Sequence, residues 1–148
     1  MNTPIDYPPV SPYLAVGDAA KAIVFYQAAF GATELFHMKM GDKIGHCELM
    51  INGTHFMLAD EFPGMNKSPA TLGGTAVTFC LIVADADAAI EKAVAAGAKL
   101  LRPAADQFYG FRSGSVRDPF GHEWMLQHIL ERLSPAEIQQ RMDPTQSC

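Results

Sequence analysis

His46, Glu48 and His55 are the residues whose types and spacing best suit chemistry. His46 and Glu48 stand two apart in KIGHCELMI, and residues two apart on a strand share a face. An imidazole beside a carboxylate can act as an acid–base pair on a carbon acid or a ring-opening substrate. Joined by His55 and by Glu123 from HEWMLQHI, the pair also offers the nitrogen and oxygen donors that zinc, manganese or iron accept. Plainer readings compete: His46 and Glu48 as solvated strand residues, His55 and Glu123 as surface residues beside their turns. No Ser-His-Asp or Cys-His nucleophile arrangement follows from spacing. Cys47, Cys80 and Cys148 are an odd number without CxxC spacing, against a disulfide framework or a thiolate zinc site. Cys47 and Cys80 read as small buried hydrophobes, Cys148 as an exposed tail thiol.

The elements that must position these residues come twice. GTHFMLAD (53–60) is echoed by GHEWMLQH (121–128). After a Pro-rich leader, SPYLAV reads as a strand, and Asp18 caps the helix DAAKAIVFYQAAF, which Gly31 ends. ATELFHMKM, KIGHCELMI and THFMLAD follow as strands joined at Gly41-Asp42 and at Asn52-Gly53, the strongest hairpin signal in the chain. That is one βαβββ module, 9–60. EFPGMNKSPATLGG, 61–74, reads as a surface linker. From 75 to 130 the order repeats: TAVTFCLIVA, a helix capped by Asp85 and ended by Gly97, then KLLRP, GFRSGSVRD and HEWMLQHI. Val16 and Asp18 recur as Val83 and Asp85, Gly31 as Gly97, Gly53 as Gly121, an offset of about 67 that marks a duplication. Ser134-Pro135-Ala136-Glu137 starts a last helix, 134–142.

With 148 residues, 49% of them hydrophobic, one domain with one core or two small adjoining ones is expected. A net charge of −5 and scattered basic residues give no footprint for nucleic acid. No apolar run is long enough to cross a bilayer and MNTPIDYPPV has no secretory pattern, so no membrane partner and a cytoplasmic location are expected.

D-x-x-K-A-x-x-F-Y (Asp18 to Tyr26), FGA, and a second copy ending DPFGHEW resemble the vicinal oxygen chelate superfamily, which includes glyoxalase I, extradiol dioxygenases and bleomycin-resistance proteins. GHCELMINGTHFMLADEFP and YGFRSGSVRDPFGHEW look most like its PhnB-like branch. The resemblance implies an α+β fold: two tandem βαβββ modules, helices outside, strands curled into a cup that holds the binding site, often in a homodimer. It also implies a divalent metal in the cup. The positions that carry over are Ser11, Met57, Thr78 and Met125, whose hydroxyls and thioethers are poor ligands for such ions. A register shift of one would add only Asp60 as a ligand. No cofactor is therefore expected, with a displaced site at His46, Glu48, His55 and Glu123 as the alternative.

Alternation then sorts the strands. Cys47, Leu49, Ile51, Phe56, Leu58, Trp124 and Leu126 read as core. Tyr13, His46, Glu48, Met50, His55, Met57, Thr78, Glu123, Met125 and Gln127 read as cup lining. The PhnB-like resemblance implies that Tyr109 and Arg112 border the mouth, where Arg112 is either an anion clamp or a surface ion pair. The leading expectation is a metal-independent binder of an aromatic or amphiphilic molecule. The alternatives are a lyase, isomerase or dioxygenase working in the same cup, and an interaction module whose cup is filled by Tyr13, Met50, Met57 and Met125.

Overall fold

The computed structural model describes residues 3–142; Cys148, read above as a tail thiol, lies outside them. The chain divides into two compact units. The first ends at Thr75 and takes in the turn Pro119–Gly121; the second begins at Ala76 and takes in the chain from His122. The first unit contains β1 (Tyr13–Val16), α1 (Ala19–Phe30), β2 (Thr33–Met40), β3 (Lys43–Ile51), β4 (Thr54–Asp60) and α2 (Pro69–Leu72). The second contains β5 (Thr78–Ile82), α3 (Ala86–Ala95), β6 (Lys99–Asp106), β7 (Phe111–Arg117), β8 (Glu123–Ile129) and α4 (Pro135–Arg141). Each unit forms one four-stranded mixed sheet, ordered β1-β4-β3-β2 and β5-β8-β7-β6. The α+β class and the repeated βαβββ order are as expected.

Local chemistry explains the elements. The Asp18 carboxylate accepts from Lys21 N, and Gly31 at φ 66° closes α1 as only a residue free to go left-handed does cheaply. Asn52 at φ 48° and Gly53 at φ 80° make the tight turn that joins β3 to β4. α1 buries Ala22, Ile23, Phe25, Tyr26 and Ala29 on one stripe, and Phe120 from the inserted turn meets the edge of Phe25. Cys47, Leu49, Ile51, Phe56 and Leu58 are buried together as alternation requires, and so are Trp124 and Leu126 in the second unit.

The duplication extends to register. Tyr13 pairs with Met57 in one sheet as Cys80 pairs with Met125 in the other, and Cys47 with Leu58 as Gly114 with Leu126. In both units a side chain at the end of the last-numbered strand closes the first helix. Asp60 Oδ1 accepts from Ala19 N at 2.8 Å, and His128 Nδ1 accepts from Ala86 N at 2.9 Å. Asp60 Oδ2 also takes Ile44 N at 2.7 Å, so this carboxylate is spent on two backbone amides and not on a ligand.

Three expectations need correction. The 61–74 stretch contains α2, with Ser68 as its cap and Pro69 in its first turn, the same Ser-Pro signal that announces α4. It is also tied down, because Asn66 bonds Phe62 N and the Asp60 carbonyl while Glu61 holds Ser68 N and the Thr71 hydroxyl. Cys80 is exposed rather than core, since it shares a face with exposed Thr78 and Ile82 and not with Leu81. β6 runs past Pro103 to Asp106, because a register shift between Arg102 and Ala105 absorbs the residue that cannot donate to the ladder.

Candidate functional site

The first unit gathers its polar side chains around one carboxylate. β3 carries Glu48 and His46 on the same face, β4 brings His55, the start of β1 supplies Tyr13, and the chain entering β1 supplies Ser11. Glu48 is 2% exposed. His55 donates from Nε2 to its Oε1 at 2.6 Å; His46 donates from Nε2 to its Oε2 at 2.8 Å; the Tyr7 hydroxyl donates to Oε2 at 2.9 Å. A carboxylate only accepts, so both imidazoles carry a proton on Nε2. With neutral rings, each Nδ1 then accepts from a hydroxyl: Tyr13 on His46 at 2.6 Å and Ser11 on His55 at 2.7 Å. Two relays, Tyr13–His46–Glu48 and Ser11–His55–Glu48, thus end on one buried anion.

Burial pushes the Glu48 carboxyl upward, but the hydrogen bonds from His46, His55 and Tyr7 outweigh it and hold it below the usual carboxylate range. The Tyr13 phenol is raised, first by burial and then by the charge on Glu48, so it keeps its proton. Tyr7 is raised mainly by its bond to Glu48. Aromatic rings hold the imidazoles in place: Tyr7 meets His55 edge-on at 5.3 Å, and Phe36 lies 5.7 Å from His46.

Beside this network a cavity of about 230 Å³ is lined by Tyr13, Ala15, Ala59, Phe62, Met65 and Asn66. Tyr13 belongs to both, as a lining residue of the cavity and as the hydroxyl of the relay.

The structure brings together Tyr13, His46, Glu48 and His55, and the strand register sets Met57 opposite Glu48 and Met50 opposite His55. His55, for which a surface position is the competing reading above, is 4% exposed, with its ring nitrogen bonded to Glu48. Thr78, Glu123, Met125, Gln127, Tyr109 and Arg112 belong to the second unit. Glu123 pairs there with Arg117 at 3.1 Å, and the Tyr109 hydroxyl lies 3.2 Å from Ser113 Oγ. Gln127 is buried, Met125 half-buried and Thr78 exposed. Arg112 grips Asp87 with two nitrogens, at 2.7 and 3.0 Å, and Asp106 with a third at 2.9 Å, which is the surface ion pair and not the free clamp. Asp118 of DPFGHEW holds His122 N and the Trp124 indole, each at 3.0 Å, so this part of the motif is structural. Tyr7 has no counterpart among the expected residues; it sits in the Pro-rich leader, where no periodicity points to it.

The residues do not fit the metal that the resemblance implies. Ser11 Oγ is engaged by His55, and Met57, Thr78 and Met125 offer thioethers and a hydroxyl. His46 and His55 aim their Nε2 protons at Glu48, while the ring nitrogens left to bind an ion face Tyr13 and Ser11 separately. Among the described residues no group of three or more His, Cys, Asp or Glu side chains is placed to hold a metal.

Comparison with known proteins agrees with this fold. Residues 9–126 match the family model described as Glyoxalase/Bleomycin resistance protein/Dioxygenase superfamily. The uncharacterized protein Rv0887c of Mycobacterium tuberculosis is 44% identical over 140 residues, 91% of this chain and 82% of that protein. The crystal structure of the Arabidopsis thaliana At5g48480 product has a TM-score of 0.68 at 35% identity, over 82% of this chain and 98% of that one. A Bacillus cereus PhnB protein, described as a putative 3-demethylubiquinone-9 3-methyltransferase, shares the fold at TM-score 0.62 and 16% identity, over 82% and 99%. No helix among the described residues is long and apolar enough to cross a membrane.

Proposed function

We propose a function from one premise: the chain belongs to the Glyoxalase/Bleomycin resistance protein/Dioxygenase superfamily. It binds a small aromatic or amphiphilic molecule against the sheet of the first unit, without a divalent metal at the superfamily's usual positions, and works as a cytoplasmic homodimer. The observation that carries this reading is the double membership of Tyr13, which lines the cavity with Ala15, Ala59, Phe62 and Met65 while its hydroxyl bonds His46 Nδ1. An apolar wall with one oriented polar group is what a small organic ligand needs. The Glu48 anion behind the relay favours neutral ligands over carboxylates, and Arg112 supplies no counter-charge because Asp87 and Asp106 occupy it. Exposed Met38 and Met40 on β2, at the edge of its sheet, support the homodimer.

The same relay favours a second reading, a lyase or isomerase in which His46 and Glu48 move a proton through Tyr13. A His46→Gln variant would then keep binding and lose turnover.

The test is an NMR titration of the amide resonances with p-cresol, indole and benzoate. Saturable shifts at Tyr13, Ala15, Ala59 and Phe62 with p-cresol or indole, weaker with benzoate and lost in Tyr13→Ala, are expected. Flat titrations at those amides to millimolar concentration refute the reading.

A further inference from the structure

We propose that Ser11 is an activated nucleophile that takes up the acyl group of neutral carboxylic esters, with His55 as its base and Glu48 as the group that orients His55. Ser11 Oγ lies 2.7 Å from His55 Nδ1, and His55 Nε2 lies 2.6 Å from Glu48 Oε1. The His55 and Glu48 side chains are each only 3% exposed, whereas Ser11 is half-buried, so the base and its partner are more shielded than the residue that carries the hydroxyl. The ring has one useful orientation: Nε2–H is committed to an acceptor-only carboxylate, the edge of Tyr7 braces its face, and the remaining lone pair on Nδ1 points at Ser11.

In the reaction Ser11 Oγ attacks the ester carbonyl carbon and its proton passes to His55 Nδ1. The resulting imidazolium is stabilised through Nε2–H by Glu48. The bond from carbon to the alcohol oxygen breaks, and the leaving alkoxide takes the proton back from Nδ1, leaving acyl-Ser11 and free alcohol. Water then attacks the acyl carbon, gives its proton to Nδ1, and Ser11 Oγ departs with that proton, which releases the carboxylic acid. The charge on Glu48 selects against anionic esters. The second unit provides an internal contrast: Thr78 stands opposite Glu123 in register, with no imidazole between. The proposal is independent of the cavity at Tyr13, since the two relays share only Glu48.

The test is incubation with p-nitrophenyl acetate, and separately with a fluorophosphonate probe, followed by intact mass and peptide mapping. An adduct on Ser11 is expected, absent in Ser11→Ala, slowed by at least about 10²-fold in His55→Gln and unchanged in Cys80→Ser, which alters only an exposed thiol of the second unit. Because His55 is buried, the Ser11→Cys variant gives a second measure: its thiol should alkylate with iodoacetamide at neutral pH faster than Cys80. No adduct on Ser11, a rate indifferent to His55→Gln, or a Ser11→Cys thiol no faster than Cys80 overturns the proposal.

Discussion

Replacing Glu48 by glutamine removes the charge on which both relays end while keeping the shape. The carboxylate accepts three hydrogen bonds, from Tyr7, His46 and His55. The amide has one acceptor oxygen and one NH2 group. If the oxygen stays toward Tyr7 and His46, the NH2 faces His55 Nε2 and two donors collide. His55 escapes by moving its proton to Nδ1, where it must be accepted by Ser11. A bond to a charged group contributes roughly 1.5–3 kcal/mol and loses about half when the charge is removed. Losses of about 4 kcal/mol are then partly offset by no longer burying an anion, leaving a net destabilisation of about 2 kcal/mol at pH 7. Glu48→Ala leaves two ring donors without an acceptor and should cost about 3–5 kcal/mol. Urea melts followed by circular dichroism measure both. Nitrogen-15 spectra of the imidazoles report the proton positions, which should be Nε2–H on both rings in the wild type and Nδ1–H on His55 in Glu48→Gln. The native carboxyl is held below its ordinary value, so its stabilisation is complete above about pH 4.3 and is lost as pH falls through the lower native value. The gap between wild type and Glu48→Gln should therefore close in acid. A gap that persists unchanged to pH 2, or a His55 tautomer indifferent to the substitution, would show that Glu48 is not the ionised hub.

Asp60→Ala strips the acceptor from two buried amides, Ala19 N and Ile44 N, and should destabilise the chain by about 2–5 kcal/mol in the same melts. A loss below about 1 kcal/mol would mean the amides find other partners. Gly114→Ala places a Cβ 2.5 Å from Ile90 Cδ1 and 2.8 Å from Ala104 N and Arg102 O, so a cost of at least about 1–3 kcal/mol is expected. Adding Ile90→Val should recover little of it, because the backbone contacts remain. Cys47 is buried and burial pushes its thiol up to about 12, while Cys80 is exposed. Native thiol titration should therefore drop by one equivalent in Cys80→Ser, and Cys47 should react only after unfolding.

The strands around the site were legible because alternation and turn chemistry act locally. KIGHCELMI and THFMLAD are β3 and β4 to the residue, since Asn52-Gly53 admits only a tight reversal. α2 was not read, because four residues carry no helical period and only Ser68-Pro69 betrays them. His46 and Glu48 were visible as a pair because their spacing fixes a shared face. His55 carries two competing readings in the sequence, cup-facing by alternation and surface by its turn, because proximity to a turn says nothing about which face is covered. Tyr7 reaches Glu48 across 41 residues from an aperiodic leader, a contact that no local pattern encodes. Arg112 shows the complementary limit: the family resemblance leaves a clamp and a surface ion pair open, and only the fold reveals that Asp87 and Asp106 occupy it.

The duplicated register separates what the fold requires from what it tolerates. Asp60 and His128 close the first helix of their units with different side chains, so an acceptor there belongs to the scaffold. At the other equivalent places the units diverge: Ser11, Tyr13, His46, Glu48 and His55 in the first correspond to Thr78, Cys80, Ser113, Ser115 and Glu123 in the second. The second sheet keeps the same strand order and register with Ser115 where the first has Glu48, and with no imidazole at the equivalents of His46 and His55. Burying an anion against two imidazoles carries a desolvation cost that apolar packing of the same face would avoid. A network that is costly, complete in its hydrogen bonds and unnecessary to its own fold is better explained by chemistry at Tyr13 and Ser11 than by stability.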